Sequence, residues 1–74
     1  MNISIKDFLE EFFDHKEHIK LVAVYSCGLV DEKEDIIYGP DRAEFFLRYG
    51  SDEDKHKKVL WLERDVNCII IYVE

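Results

Sequence analysis

Two histidines beside a pair of carboxylates are the nearest approach to metal-binding chemistry in this sequence. His15 and His18 lie three positions apart in DHKEH, with Asp14 and Glu17 next to them. On a helix this spacing would bring both imidazoles to one face, where a carboxylate could complete the ligand set of a transition metal. No third ligand has the spacing of a metal motif, and histidines near a helix C-terminus also favour its negative dipole end in solvent. We therefore predict no metal site and no cofactor.

The stretch YSCGLV places Ser26 and Cys27 before a glycine, which raises the question of a nucleophile. A reactive thiol needs a base and a partly exposed, electropositive setting, whereas Cys27 ends an apolar stretch in the more acidic half of the chain. Cys27 and Cys68 are too few for a secreted disulfide framework and lack metal spacing. We expect both to be reduced, buried thiols. No catalytic residue is predicted, and the protein is not expected to be an enzyme.

The basic cluster KHKK at positions 55–58, with Trp61 close by, is the one candidate for nucleic-acid binding. Lysines and an aromatic ring can hold a single strand by charge and stacking. Here the acidic DED directly before the cluster largely neutralises it, and the net charge of −7 repels phosphate backbones and anionic membranes. The three glycines are too far apart to form a phosphate-binding loop. We expect no direct nucleic-acid, membrane or small-molecule ligand.

Acidic side chains are the more informative set. They concentrate in DEKED and SDED, which are predicted to be polar loops; the residues concerned are Asp31, Glu32, Glu34, Asp35, Asp52, Glu53 and Asp54. Most simply they form a solvated surface that keeps a small protein soluble. Carboxylates on a rigid scaffold can also imitate DNA phosphates, as in small acidic inhibitors encoded by phages and prophages, or dock on another basic protein.

The composition is typical of a folded single domain, expected over residues 1–74. Of these residues 47% are hydrophobic and ten are aromatic, so a thin core is possible without disulfides. The N-terminal sequence lacks the pattern of a signal peptide. The longest apolar run has six residues, far below the roughly 18 needed to cross a bilayer. We expect a soluble, cytoplasmic protein.

The first half of the chain predicts a helix followed by a hairpin. Apolar residues at helical spacing predict a helix over residues 4–17, capped by Ser4 with Asp7 three positions on. The β-branched IKLVAVYS predicts a strand over 19–26, with Gly28 at a bulge or bend. DIIYG is expected to return as the second strand after the DEKED loop.

The second half repeats this order. Pro40, Asp41 and Gly50 are start and stop signals for a second helix, in which Phe45 and Tyr49 widen the apolar arc. SDEDKHKK is expected to be a polar connection. KVLWLE and NCIIIYVE flank RDVN as a closing hairpin. The resulting α-β-β-α-β-β order predicts an α+β fold, with a four-stranded, mainly antiparallel sheet and both helices on one face.

The final strand raises the question of what covers the second sheet face. In CIIIYV every position is apolar, whereas a sheet with one wet face normally alternates apolar and polar residues. Either a helix crosses to that face or another chain covers it, and a homodimer is the simplest case. The residues predicted to form the interface are Leu60, Trp61, Leu62, Ile69, Ile71 and Val73, with Phe45 and Tyr49. A one-residue register shift would exchange the two faces.

These observations favour a non-enzymatic protein-interaction module. It would be a homodimer, or a subunit that binds another protein through an apolar sheet face. The alternative is the acidic inhibitor that imitates DNA, which would bind a basic protein in a salt-sensitive way.

Overall fold

The chain forms a small α+β fold with three helices and a four-stranded mixed sheet. A computed structural model describes the backbone of residues 3–27 and 30–74 and the side chains of residues 3–25 and 33–74. The elements are α1 (Ile5–Phe12), β1 (His18–Cys27), β2 (Val30–Arg42), α2 (Ala43–Tyr49), α3 (Asp52–Lys55), β3 (Val59–Arg64) and β4 (Ile69–Val73). Among these residues no helix is long and apolar enough to cross a membrane.

The sheet joins two hairpins side by side. Its strand order is β2-β1-β4-β3. Strands β1 and β2 pair antiparallel, as do β3 and β4, so the two predicted hairpins are confirmed. The hairpins meet through β1 and β4, which run parallel with Ile19 beside Ile69 and Leu21 beside Ile71. The sheet is therefore mixed, where the sequence predicted a mainly antiparallel one. Strand β4 lies inside the sheet, which suits its unbroken apolar run.

Helix α1 is shorter than predicted and ends at Phe12 instead of residue 17. It begins as expected, because the Ser4 hydroxyl accepts a hydrogen bond from the Asp7 N–H at 3.3 Å. At Phe13 the backbone is already extended. The Asp14 carboxylate then accepts the Lys16 N–H at 3.0 Å, and such a local bond stabilises a turn in place of a further helical turn.

Strand β2 is longer than predicted at both ends. DEKED belongs to the strand and not to a loop, with Glu34 opposite Val24 and Asp35 opposite Ala23. Pro40 and Asp41, expected in the first turn of the second helix, also lie in β2. The Asp41 carboxylate accepts the N–H of the next residue in the chain, so it does not cap the helix. The position expected for a bend, Gly28, lies outside the described residues.

Gly39 allows β2 to bulge against β1. Ile19 pairs with Asp41 and Leu21 with Tyr38, so β2 carries an extra residue between them. Gly39 has a φ of +81°, and a Cβ there would collide with the backbone carbonyl oxygen of Ile19. Only glycine combines this φ with so close an approach of two backbones.

The connection after α2 contains a helix that the sequence analysis treated as irregular. Helix α2 ends at Gly50 as predicted, but Gly50 is extended and not left-handed. The Ser51 hydroxyl then accepts the Asp54 N–H at 3.2 Å and caps the short helix α3. The acidic residues of SDED therefore lie at a helix N-terminus, where negative charge is favourable.

One hydrophobic cluster forms the core. It contains residues from helices α1 and α2 and from strands β1, β3 and β4; its members are Ile5, Phe8, Leu9, Ile19, Leu21, Ala23, Ala43, Phe46, Val59, Ile71 and Val73. We call the sheet face that contributes Leu21, Ile71 and Val73 to this cluster the inner face, and the opposite one the outer face.

The core position of Ile71 generates a stability prediction. Ile71 is fully buried, so Ile71→Asp would place an unpaired carboxylate in the core and should destabilise the fold by about 4 kcal/mol or more. Urea unfolding followed by circular dichroism measures the change. Ile36→Asp is the matched control, because this isoleucine on β2 is 59% exposed and the same substitution should cost only about 1 kcal/mol. Equal losses in the two variants would contradict the assignment of Ile71 to the core.

Candidate protein-interaction surface

Four residues from four strands form one row across the outer face. Ile36 on β2 pairs with Val22 on β1, Val22 with Tyr72 on β4, and Tyr72 with Trp61 on β3. Residues directly opposite each other in neighbouring strands point to the same face. The register therefore aligns these four side chains across the whole sheet, and we call them the outer row.

A bulge in β3 brings Trp61 into this row. Val59 pairs with Val73 on the inner face, whereas Trp61 pairs with Tyr72, so Leu60 is an extra residue between them. Strict alternation would have put Val59 and Trp61 on the same face. The extra residue reverses the alternation and turns the indole to the outer face.

The outer row is apolar and only partly covered. Ile36 is 59% and Trp61 41% exposed, while Tyr72 is half-buried and Val22, between its neighbours, is buried. Val24 and Ile70 on the same face are half-buried. The rings of Trp61 and Tyr72 stack with centroids 4.6 Å apart and planes at 15°. The stack forms a rigid aromatic surface of the kind enriched at protein interfaces.

A carboxylate holds the aromatic stack in place. The Tyr72 hydroxyl donates a hydrogen bond to Glu63 Oε2 at 3.2 Å, and Glu63 lies two residues beyond Trp61 on β3. Burial, followed by the hydrogen bond to Glu63, raises the pKa of Tyr72 above its ordinary value of 10.0. Tyr72 is therefore a neutral donor at physiological pH, and its ring orientation is set from β3.

The structure divides the predicted interface residues into three groups. Leu60, Trp61 and Leu62 are exposed on β3. Ile71 and Val73 are fully buried in the core, which corrects their assignment to an uncovered face, and Ile69 packs against the same core. The sequence analysis assigned the wrong alternating set of β4 residues to the uncovered face, which is the exchange that a one-residue change of register would produce. The remaining two residues, Phe45 and Tyr49, are exposed on α2.

Five apolar or aromatic outer-face residues were missing from the sequence prediction. They reach this face through the pairing of β1 with β2 and β4, and they are Val22, Val24, Ile36, Ile70 and Tyr72. The alternation within NCIIIYVE already separated Tyr72 from Ile71 and Val73. Nothing in the sequence indicated which of the two alternating sets of β4 residues would face the core, because both sets are apolar.

The predicted acidic residues lie near opposite edges of the sheet. Glu34 and Asp35 are exposed on β2, which forms one edge. Asp52 and Glu53 are exposed and Asp54 is half-buried in α3, which leads into β3 at the other edge. The side chains of Asp31 and Glu32 lie outside the described set. The described acidic residues therefore do not form one continuous row, as the hypothesis of an acidic inhibitor that imitates a nucleic-acid backbone would favour.

The two histidines do not share a helix. His15 follows the end of α1 and His18 begins β1, so the one-turn spacing that would align their imidazoles is lost. In the described part of the chain no group of three or more histidine, cysteine or carboxylate side chains could hold a metal ion. Cys68 is a free, half-buried thiol, and the side chain of Cys27 is not among those described.

Two depressions lie among the described residues. The larger, of about 330 Å³, lies where the β3–β4 turn meets the start of β1; it is lined by Glu17, His18, Arg64, Asp65, Val66, Asn67, Cys68 and Ile69. The smaller, of about 290 Å³, is lined by His15, Glu44, Leu47 and Arg48. His15 and His18 thus lie in separate depressions. Ligand sites are mostly apolar with a few converging polar groups, whereas the lining of the larger depression is mainly polar.

No protein-family model, curated protein or solved structure matches this chain. Its function must therefore be inferred from the geometry of the described residues, of which the outer row is the most distinctive.

The Tyr72–Glu63 contact generates a prediction about titration. Glu63→Gln removes the charged acceptor, so the pKa of Tyr72 should fall towards 10 while burial keeps it from reaching that value. The chemical shift of the ¹³C-labelled Tyr72 Cζ, followed against pH, measures it. Glu53→Gln, an exposed carboxylate on α3, should leave the titration unchanged.

The same contact sets the direction of a stability effect. Because the pKa of Tyr72 is raised in the folded state, its contribution to stability is present below about pH 10 and is lost as the pH rises through the folded pKa. An unaltered Tyr72 titration in Glu63→Gln would show that burial alone raises the pKa.

Proposed function

We propose that the protein is a cytoplasmic, non-enzymatic protein-interaction module that binds another protein chain through the outer face. The outer row carries this proposal. Residues of α1 and α2 belong to the same hydrophobic cluster as the inner face. The outer face keeps two large exposed apolar side chains, Ile36 and Trp61, at its two ends. A contiguous apolar patch that is left partly exposed often marks a site of contact with another protein.

The composition of the outer face fits a protein partner. Aromatic residues are enriched at the centres of interfaces and charged residues are depleted there. Trp61 and Tyr72 form the stacked pair, and Val22, Val24 and Ile70 supply aliphatic surface around it. Charged residues lie beside the outer row: Glu63 bonds to Tyr72 and Glu34 faces Val24 across the strands. Lys20 pairs with Ile70 on the same face.

Binding through this face should resist salt, because apolar burial is not screened by ions. A tagged protein, recovered from nuclease-treated lysate of its own cell type, should retain a stoichiometric protein at both low and high salt. That protein is either a second copy or a foreign chain, and sedimentation of the purified protein tells them apart.

The outer-face substitutions test where the partner binds. Ile36→Asp and Trp61→Ser should each weaken the complex about tenfold or more, since each removes apolar contact and the first adds a charge. Val66→Asp is the control, because Val66 lies 92% exposed in the β3–β4 turn and outside the outer row. A foreign chain that still binds both outer-face variants would contradict the proposal. One that dissociates in salt but ignores these variants would favour the acidic surface.

A further inference from the structure

Strand β3 forms one edge of the sheet, and its backbone directs hydrogen-bonding groups away from the sheet at alternate residues. Beyond the bulge, the Asp65 N–H donates to the Cys68 carbonyl at 3.0 Å, which makes this a hydrogen-bonded pair. In an antiparallel ladder such pairs alternate with non-bonded ones. Glu63 and Trp61 therefore point their backbone groups towards β4, while Leu62 and Arg64 point theirs outward.

The N-terminal segment occupies the beginning of this edge. The Val59 N–H donates to the Ile3 carbonyl at 3.0 Å, and the Ile5 N–H donates to the Lys57 carbonyl at 2.9 Å. These bonds form a short antiparallel bridge that places Ser4 opposite Lys58. Among the residues that the structure describes, no segment pairs with the remaining edge, Leu60 to Arg64. Leu62 is the centre of this open stretch.

We propose that a second copy of the chain pairs with this open edge, antiparallel and about a two-fold axis through Leu62. Leu62 then bonds to its own symmetry mate through the N–H and C=O that point outward. Arg64 of each copy lies opposite Leu60 of the other, and Glu63 opposite Trp61. The inference goes beyond the proposed function, because it uses the edge of β3 and not the outer face. The product is a continuous eight-stranded sheet.

The position of the two-fold axis follows from the backbone groups of β3 that are already hydrogen-bonded and from the charges along the strand. An axis at Trp61 would extend the pairing onto Val59, whose N–H is bonded to Ile3. An axis at Glu63 would set two carboxylates directly opposite each other, which is unfavourable. An axis at Leu62 avoids both conflicts and uses the whole open stretch.

The charges along β3 complement each other in this arrangement. Lys57 and Lys58 precede the strand, whereas Glu63 and Asp65 lie at its other end beside Arg64. Antiparallel pairing brings the basic end of one copy towards the acidic end of its partner. The other edge, β2, carries the four carboxylates and one lysine of DEKED and is interrupted at Pro40, so two β2 edges repel and mismatch.

The exposed side chains of the edge also gain cover from a second copy. Leu60 is 37% and Leu62 43% exposed, although Leu62 pairs with the core residue Ile71 and lies on the inner-face side. In the dimer the two Leu62 side chains meet across the axis and extend the apolar row of the inner face from one copy to the next. No proline interrupts this edge.

A charge-exchange experiment tests the axis. Leu62→Lys and Leu62→Glu should each raise the dimer dissociation constant about tenfold or more, because position 62 opposes itself and like charges meet there. Mixed in equal amounts, the two variants should form a heterodimer, measured by sedimentation and native mass spectrometry. Tyr49→Lys and Tyr49→Glu, mixed in the same way, are the control, because Tyr49 is 74% exposed on α2 and lies outside β3; each should dimerise as the unaltered protein does.

Hydrogen exchange on the unaltered protein tests the same pairing without a substitution. The Leu62 and Arg64 amides should become protected as protein concentration rises through the dissociation constant, while the Glu63 amide is protected throughout. A monomeric protein at millimolar concentration, or fast exchange of Leu62 at every concentration, would overturn the proposal.

The two proposals fail separately. Ile36→Asp should leave the β3-paired dimer intact while weakening binding at the outer face. A dimer lost in Ile36→Asp but retained in both Leu62 variants would overturn the β3 pairing and support self-association through the outer face instead.

Discussion

The parallel pairing of β1 with β4 is the contact on which the rest of the structure depends. Each of these strands already has an antiparallel neighbour from its own hairpin, so their pairing turns two hairpins into one sheet. It aligns Leu21 with Ile71 on the inner face and Val22 with Tyr72 on the outer face. The core and the outer row are therefore consequences of a single register. A shift of one residue would exchange the two sets of side chains.

Bulges in β2 and β3 then change which side chains lie on each face of the sheet. In β3 the extra residue at Leu60 moves Trp61 to the same face as Tyr72. In β2 the bulge around Gly39 accommodates a close approach to the Ile19 carbonyl. Both irregularities lie in edge strands, where an additional residue disturbs only one neighbour. The interior strands β1 and β4 supply most of the sheet residues in the core. The edge strands β2 and β3 supply the exposed members of the outer row.

Local signals in the sequence predicted the elements better than their assembly. The Ser4 cap, the apolar spacing of α1 and the β-branched run of β1 each predicted an element that exists, because these preferences act over a few neighbouring residues. The end of α1 was placed too late, since the turn at Asp14 depends on a side chain competing with the helix.

The assembly could not be predicted because it depends on pairings between distant residues. The sequence predicted that an apolar surface would remain on one face; in the outer row, Ile36 and Trp61 are exposed and Val22 is buried. It could not distinguish Ile71 from Tyr72 as core or surface, since both alternating sets of β4 are apolar. Nor did it indicate the Leu60 bulge, which places Val59 and Trp61 on opposite faces of the sheet.

The strand order has a consequence for how the chain folds. The β1–β2 hairpin joins neighbouring residues, but Ile19 pairs with Ile69, fifty positions further along, and Ser4 with Lys58. Loop closure must be achieved before such distant contacts stabilise the chain, which slows folding relative to a helical protein of this size. During synthesis the β1–β2 hairpin therefore leaves the ribosome before either distant partner exists. Until β4 has been synthesised, the edge of β1 that β4 will cover has no partner strand.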